Sequence, residues 1–145
     1  MKILIAHHVE TMWADSVRRI ATIDFQSFVE RICEYYQKYG VDKLILTRFE
    51  DSRLEPEHYL FEELNYEVHE YAYGWDQEIV LNDEHGEYTD GGTHSEYVRI
   101  ENWMYELKGH EVCLAGCFDG ECIEDMEIAL SHCKVPFKRI DELIH

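Results

Sequence analysis

The sequence predicts an α/β fold with one three-layer domain over residues 1–145, built on a doubly wound, mostly parallel sheet of about five strands. Short apolar runs alternate with amphipathic helical stretches along the chain. The joints between them are short, which favours right-handed parallel crossovers. A chain of 145 residues, 46% of them hydrophobic, is also long enough to bury one sizeable core.

Five stretches are expected to form the strands. Residues 2–6, KILIA, are mostly apolar and indicate a central strand that is buried on both faces. The other four stretches are residues 41–49, 66–73, 111–117 and 136–140. The expected strand order is 3-2-1-4-5, which puts the switch point between strands one and four, where ligands bind in such sheets.

Helical spacing predicts the elements between these strands. Residues 24–39 carry one apolar stripe with Asp24 as the N-cap, and residues 120–132 follow the fourth strand directly. Residues 93–107 begin with the capping-box sequence THSE and are predicted to be helical throughout. A shorter helix is expected over residues 56–64.

Residues 74–92 show little periodicity and are long for a connection, so an irregular excursion or lid is expected there. This part of the chain and its border carry side chains that bind divalent cations in other proteins. They are Asp83, Glu84, His85, Asp90 and His94. Because their spacing matches no metal motif, a solvated acidic loop is the simpler interpretation, and neither a metal nor another cofactor is predicted.

The net charge of −18 restricts the partners of the chain. Acid is concentrated between residues 50 and 90, where Arg53 is the only basic residue. Such a surface repels phosphate backbones and anionic membranes, so neither nucleic acid nor a membrane is an expected partner. A neutral or cationic small molecule or a basic protein fits better. The sequence leaves a homo-oligomer open.

The cysteines and the apolar runs indicate a cytoplasmic protein. Five cysteines at irregular spacing fit reduced thiols better than a disulfide framework. No apolar run approaches the roughly 20 residues that span a bilayer, and the amino-terminal MKILIAHH is too short for a signal peptide.

Polar side chains gather at the predicted switch point. His7 and His8 end the first strand, and the fourth strand runs through Gly116 into a turn that holds Asp119 and ends at Cys122. Cys122 is the candidate nucleophile because a helix N-terminus stabilises a thiolate. The like charge of Glu121, Glu124 and Asp125 acts in the opposite direction, so a small buried hydrophobic residue is the alternative. Either histidine is a candidate base, with a structural role as the alternative, and while the strand continues their side chains should point to opposite faces. Asp119 is expected to cap the helix, with a catalytic role as the alternative.

Substrate-binding candidates flank this centre. Arg48 lies near the end of the second strand with Asp51 behind it, and Tyr73 ends the third strand with Trp75 after it. Cys117 lies in the turn itself, although with Cys113 it also fits the core. The nucleotide-binding patterns GxGxxG and GxxxxGK[ST] are absent from the sequence, which disfavours a dinucleotide or nucleoside-triphosphate site.

The spacing from Gly116 to Cys122 resembles that of the isochorismatase-like cysteine hydrolases, over residues 93–140. In that family a glycine-centred turn precedes the nucleophilic cysteine by six residues. The resemblance implies a doubly wound sheet and hydrolysis of a small amide or enol-ether-type substrate through a thiolate. The family's aspartate at the end of the first strand is replaced here by His7-His8, and its lysine has no counterpart between Lys43 and Lys108.

Two functions follow as expectations. The first is a small-molecule hydrolase in which Cys122 is the nucleophile, His7 or His8 the base, and the N–H groups after Gly116 the oxyanion donors. The second is a non-enzymatic acidic protein that engages a basic partner or sequesters a small ligand through the surface around Tyr71, Tyr73, Trp75 and Tyr88.

Overall fold

The computed structural model describes residues 1–9, 25–49, 61–71, 73–74, 83–84 and 86–145. In chain order the elements are β1 (Lys2–His7), α1 (Phe25–Lys38), β2 (Lys43–Phe49), β3 (Tyr66–Tyr71), β4 (Tyr73–Gly74), β5 (Glu87–Asp90), β6 (Tyr97–Ile100), α2 (Asn102–Tyr105), β7 (Glu111–Gly116), α3 (Cys122–His132) and β8 (Phe137–Ile144).

The main sheet has five strands in the order β3-β2-β1-β7-β8, and every neighbouring pair is parallel. The predicted fold class and strand order are therefore confirmed. β1 is central because its apolar run can be buried on both faces, and Leu4 and Ile5 are completely shielded from solvent.

Each face of the main sheet packs on its own helix, and the side-chain alternation of β1 shows how. Leu4 points to the core under α1, which contains Phe28. Ile3 and Ile5 point to the opposite core, under α3, which contains Ile123. The two cores and the sheet between them form the three layers that the sequence predicts.

The prediction of one helix over residues 93–107 is wrong. Residues Tyr97–Ile100 form β6, and only Asn102–Tyr105 are helical. β6 pairs antiparallel with β4 and β5 in a separate three-stranded sheet. Val98 and Ile100 are buried while Tyr97 and Arg99, which alternate with them, are half-buried, and this alternation is the period of a strand. The apolar positions fit a helix and a strand equally well over so short a stretch.

Other boundaries shift by a few residues. The carboxyl-terminal strand extends to Ile144, and the third helix begins at Cys122 rather than at residue 120. Of the short helix expected over residues 56–64, only 61–64 are described, and they form a turn. In the excursion expected at 74–92, Glu87–Asp90 form β5, while 75–82 and 85 lie outside the described residues.

The longest described helix, α1, has 14 residues, and no described helix is long and apolar enough to cross a membrane.

Candidate functional site

The carboxyl ends of β1 and β7 lie side by side, as the strand order requires. His7 pairs in register with Gly116, and the N–H of Cys117 donates to the carbonyl oxygen of His7 at 3.0 Å. A Cβ atom at Gly116 would overlap the backbone of His7, and Gly116 has a φ of +119°. Glycine is therefore required for this close approach.

His7 is completely buried at the end of β1. The alternation of the strand turns its ring to the α3 face, where it also hydrogen-bonds to the backbone of Cys122. Its Nδ1 lies 2.6 Å from Oγ1 of Thr47, the residue opposite it on β2. Burial lowers the pKa of His7 to about 3, against the opposing effect of the bond to Cys122. His7 is consequently a neutral imidazole at physiological pH.

His8 stacks on His7, with ring centroids 3.8 Å apart and an angle of 20° between the planes. The two rings would face opposite sides of the sheet only if the strand continued, but it ends at His7 and His8 adopts a φ of +56°. Its N–H donates to the carbonyl oxygen of Thr47 at 3.1 Å. Burial first, and then His7 and His94, lower the pKa of His8 well below its usual value.

Cys122 is the first residue of α3 and lies next to the ring of His7 through its backbone. Only 7% of its surface is exposed. The structure therefore brings the predicted nucleophile and both predicted bases to one end of the sheet. All five cysteines of the chain are free thiols.

Cys117 lies on the other side of the sheet. It is fully buried in the core under α1, together with Cys113, and its thiol donates to the carbonyl oxygen of His8 at 3.3 Å. This position makes Cys117 part of the packing that fixes the end of β1.

Asp119 does not cap α3, contrary to the prediction. The N-cap residue is Glu121, and no side chain caps the helix. The carboxylate of Asp119, 57% exposed, instead accepts a hydrogen bond from Arg139 of β8 at 3.0 Å. The turn after Gly116 is two residues longer than the predicted cap allows, so Asp119 lies too far from the first helical N–H groups.

The remaining substrate-binding candidates are not assembled with His7. Arg48 is buried, but strand alternation places it on the α1 face, opposite to His7 and Thr47. Asp51 and Trp75 lie outside the described residues, and only the backbone of Tyr73 is described.

Sequence reasoning missed a buried carboxylate beside Cys122. Asp125, one turn along α3, is 1% exposed and accepts a hydrogen bond from Oγ of Ser95 at 2.7 Å. Burial raises its pKa, while the bond from Ser95 and the nearby His94 act in the opposite direction. The one sequence signal that could have indicated this contact is the THSE sequence at residues 93–96, which contains Ser95. The hydroxyl groups of Thr93 and Ser95 do bind helix residues, but those residues, Glu124 and Asp125, belong to α3 and not to a helix that begins at Thr93.

The acidic side chains near β5 have partners other than a metal. Asp83 accepts a hydrogen bond from Tyr88 at 2.9 Å and pairs with Arg99 at 3.5 Å. Within the described residues, no group of three or more His, Cys, Asp and Glu side chains is arranged to hold a metal ion. His85, part of the weaker metal hypothesis, is not among them.

Comparison of the chain with protein-family models, with curated proteins and with solved structures finds no match. The resemblance to the isochorismatase-like hydrolases therefore stays a prediction that depends on the spacing from Gly116 to Cys122.

The geometry at this end of the sheet suits chemistry at a thiol. Cys122 opens a helix and is largely removed from water, as is the neutral ring of His7 beside it. Two N–H groups of the turn, those of Phe118 and Gly120, donate to no other group within the described residues, whereas those of Cys117, Asp119 and Glu121 are used internally.

Proposed function

We propose that the protein is a small-molecule hydrolase with Cys122 as its nucleophile. The observation that carries the proposal is the position of Cys122, which opens α3 beside a buried imidazole at the switch point between β1 and β7. Nucleophilic cysteines are prepared by a helix N-terminus and a neighbouring base, and Cys122 has the first of these at the start of α3.

The reaction would proceed in two steps, acylation of Cys122 and hydrolysis of the thioester. The thiol of Cys122 gives its proton to a base, and the sulfur forms a bond to the substrate carbonyl carbon while the leaving group departs with that proton. Water then cleaves the thioester, which releases the acid and restores the thiol. The N–H groups of Phe118 and Gly120 are our candidates for binding the oxyanion, since they have no other acceptor within the described residues.

The charge of the chain favours neutral or cationic substrates over anionic ones, since the net charge is −18. A mechanism that depends on a free thiol also requires a reducing compartment, and all five cysteines are free. A cytoplasmic location is therefore part of the proposal.

The first test is the reactivity of Cys122 toward iodoacetamide at pH 7, measured for each cysteine by peptide mass spectrometry. We expect Cys122 to react at least about tenfold faster than the same thiol in urea-unfolded protein, since that ratio corresponds to about one unit of pKa. Cys122→Ser should also abolish hydrolysis of p-nitrophenyl acetate, while Cys33→Ser on α1 should retain it. Equal reactivity in folded and unfolded protein would remove the main support for a hydrolase.

The alternative is an acidic binding protein without catalysis, which the charge of −18 favours independently of any thiol. Of its proposed aromatic surface, only the side chain of Tyr88 is described, and Arg99 lies 6.0 Å from its ring centre. Binding to polylysine that weakens steeply between about 10 mM and 300 mM salt, together with an unreactive Cys122, would favour this function.

A further inference from the structure

The loop that joins β5 to β6 is fastened to the first turn of α3 by two carboxylates. Glu124 accepts from the N–H of Thr93 at 2.7 Å and from its Oγ1 at 2.9 Å. Asp125 accepts from Oγ of Ser95 at 2.7 Å. The residue between these two attachment points is His94, which is half-buried. The loop therefore places His94 beside the first turn of α3, near enough to Asp125 for the two side chains to interact electrostatically.

The same loop fits closely against its surroundings. A Cβ atom at Gly92 would overlap the carboxylate of Glu124, and one at Gly91 would overlap the carbonyl group of Ser95. The N–H of Gly91 donates to the carbonyl oxygen of Glu96 at 2.8 Å, which closes the loop on itself. Two glycines are thus needed for the contact, and the position of His94 is set by packing and hydrogen bonds together.

Asp125 completes the arrangement. It lies three residues after Cys122 on the same buried side of α3. One carboxylate oxygen binds Ser95, and the other, Oδ1, is buried and makes no hydrogen bond within the described residues. A buried carboxylate oxygen is stabilised by a nearby cation or donor, and His94 is close enough to lower the pKa of Asp125 against the effect of burial.

The two histidines of β1 are poor proton acceptors. Burial lowers the pKa of His7 to about 3, and the pKa of His8 is also lowered well below its usual value, in part by His94. General bases work best when their pKa lies near the operating pH. His94 lies closer to solvent than either, since it is half-buried, and Asp125 is near it.

We propose that His94 accepts the proton of the Cys122 thiol, and that Asp125 is the positioning residue that holds and stabilises the resulting imidazolium. The proposal rests on the proposed role of Cys122 as nucleophile. In the step, the proton moves from sulfur to a ring nitrogen of His94 and the electron pair of the S–H bond stays on sulfur. The imidazolium later returns this proton to the leaving group, so only substrate and water are consumed.

The titratable groups around His94 come from three elements. His8, directly after β1, and Asp125 of α3 interact with His94, His7 stacks on His8, and Cys122 and Glu124 lie in the same turn of α3 as Asp125. Glu96 lies in the loop itself. The pH dependence of the thiol therefore reports on this whole group, and single substitutions are needed to isolate His94.

The experiment is the rate of iodoacetamide alkylation of Cys122 between pH 5 and pH 9.5, measured in the full-length protein. His94→Gln should slow the reaction at pH 7 about tenfold and move the midpoint of the profile upward by about one pH unit, since a thiolate without its imidazolium partner forms less readily. Asp125→Asn keeps an acceptor for Ser95 and should shift the midpoint in the same direction. His132→Asn, at the far end of α3, is the matched control and should leave the profile unchanged.

The outcomes separate the two proposals. A reactive Cys122 whose profile is the same in His94→Gln and in the unsubstituted protein would overturn the role of His94 and leave the nucleophile in place. A Cys122 that reacts no faster than an unfolded thiol before any substitution would overturn both. If His94→Gln fails to fold by circular dichroism, Asp125→Asn decides, because an unchanged midpoint there contradicts the positioning role.

Discussion

At the scale of single residues, the most unusual feature is a pair of buried, stacked imidazoles. His7 and His8 are both 0% exposed, and Thr47 contacts both, through its hydroxyl to the ring of His7 and through its carbonyl oxygen to the N–H of His8. Removing two titratable rings from water is tolerated only in the neutral state, because the charged form loses its hydration. Because of this pair, the free energy of unfolding depends on pH.

The sign of that sensitivity follows from the pKa of His7. Unfolded His7 has a pKa of 6.5, whereas in the fold burial lowers it to about 3. Below pH 6.5, His7 binds a proton in the unfolded chain but not in the folded chain. The contribution of His7 to stability is therefore complete above pH 6.5 and is lost as the pH falls toward 3. We expect His7 alone to reduce the free energy of unfolding by about 1.4 kcal/mol per pH unit within this window.

Urea unfolding at pH 7, 6, 5 and 4 measures this slope. His7→Asn, which keeps a polar group near Thr47, should lower stability at pH 7 but flatten its decline in acid. Comparison with the unsubstituted protein is essential because burial raises the pKa of Asp125, which contributes with the opposite sign. Equal slopes in the two proteins would show that His7 is protonated as readily in the fold as in the unfolded chain.

At the scale of elements, the contact between β1 and β7 is the one on which the site depends. Gly116 brings the two strand ends together because no Cβ separates it from the backbone of His7. The strands themselves were predictable, since residues 2–6 and 111–117 are apolar runs that only a buried parallel strand explains well.

Gly116→Ala should therefore destabilise the protein by roughly 3 kcal/mol or more, because the added methyl group meets backbone atoms that cannot move aside. Gly109→Ala is the matched control. It also has a positive φ, +83°, but nothing lies within 4 Å of the added Cβ, so only the backbone strain of about 1–2 kcal/mol remains. Similar losses in both variants, measured by urea unfolding, would argue that the approach of β7 to β1 is not tight.

The elements that sequence reasoning misplaced share a physical cause. The THSE sequence satisfies a capping box on paper, but Thr93 and Ser95 donate to carboxylates of α3, which follows thirty residues later. Likewise, His8 leaves the strand through a single positive φ that no periodicity reveals. Local patterns predict the potential of these residues to bind a helix or end a strand, whereas tertiary contacts decide which partner they take.

At the scale of the whole molecule, the topology was predictable because few parallel arrangements satisfy the connection rules. Alternating strands and helices with short joints lead to one switch point, and the histidines and Cys122 gather there as expected. The attachment of the β5–β6 loop to α3 was not predictable, because it depends on how a separate three-stranded sheet packs beside the main sheet.

The net charge of −18 makes stability depend on salt. Repulsion between carboxylates opposes folding, and it extends over a Debye length that falls from about 30 Å at 10 mM salt to about 10 Å at 100 mM. Exposed ion pairs act in the opposite sense but contribute only about 0–1 kcal/mol each. We therefore expect the melting temperature to rise by roughly 2–5 °C over this range of sodium chloride, and a fall would mean that attractive pairs dominate.

Substitution of Arg139 would test directly how carboxylate repulsion and ion pairing balance in the stability of the protein. Its guanidinium lies within 3.2 Å of carboxylate oxygens from Asp119, Glu127 and Asp141, on β8 and the elements beside it. Arg139→Gln leaves these carboxylates facing one another, so at 10 mM salt it should cost roughly 1 kcal/mol more than Lys138→Gln, which removes the same charge from an exposed neighbour. The difference should shrink at 300 mM salt because screening weakens the repulsion. A difference that is unaffected by salt would instead assign the role of Arg139 to packing of its aliphatic stem.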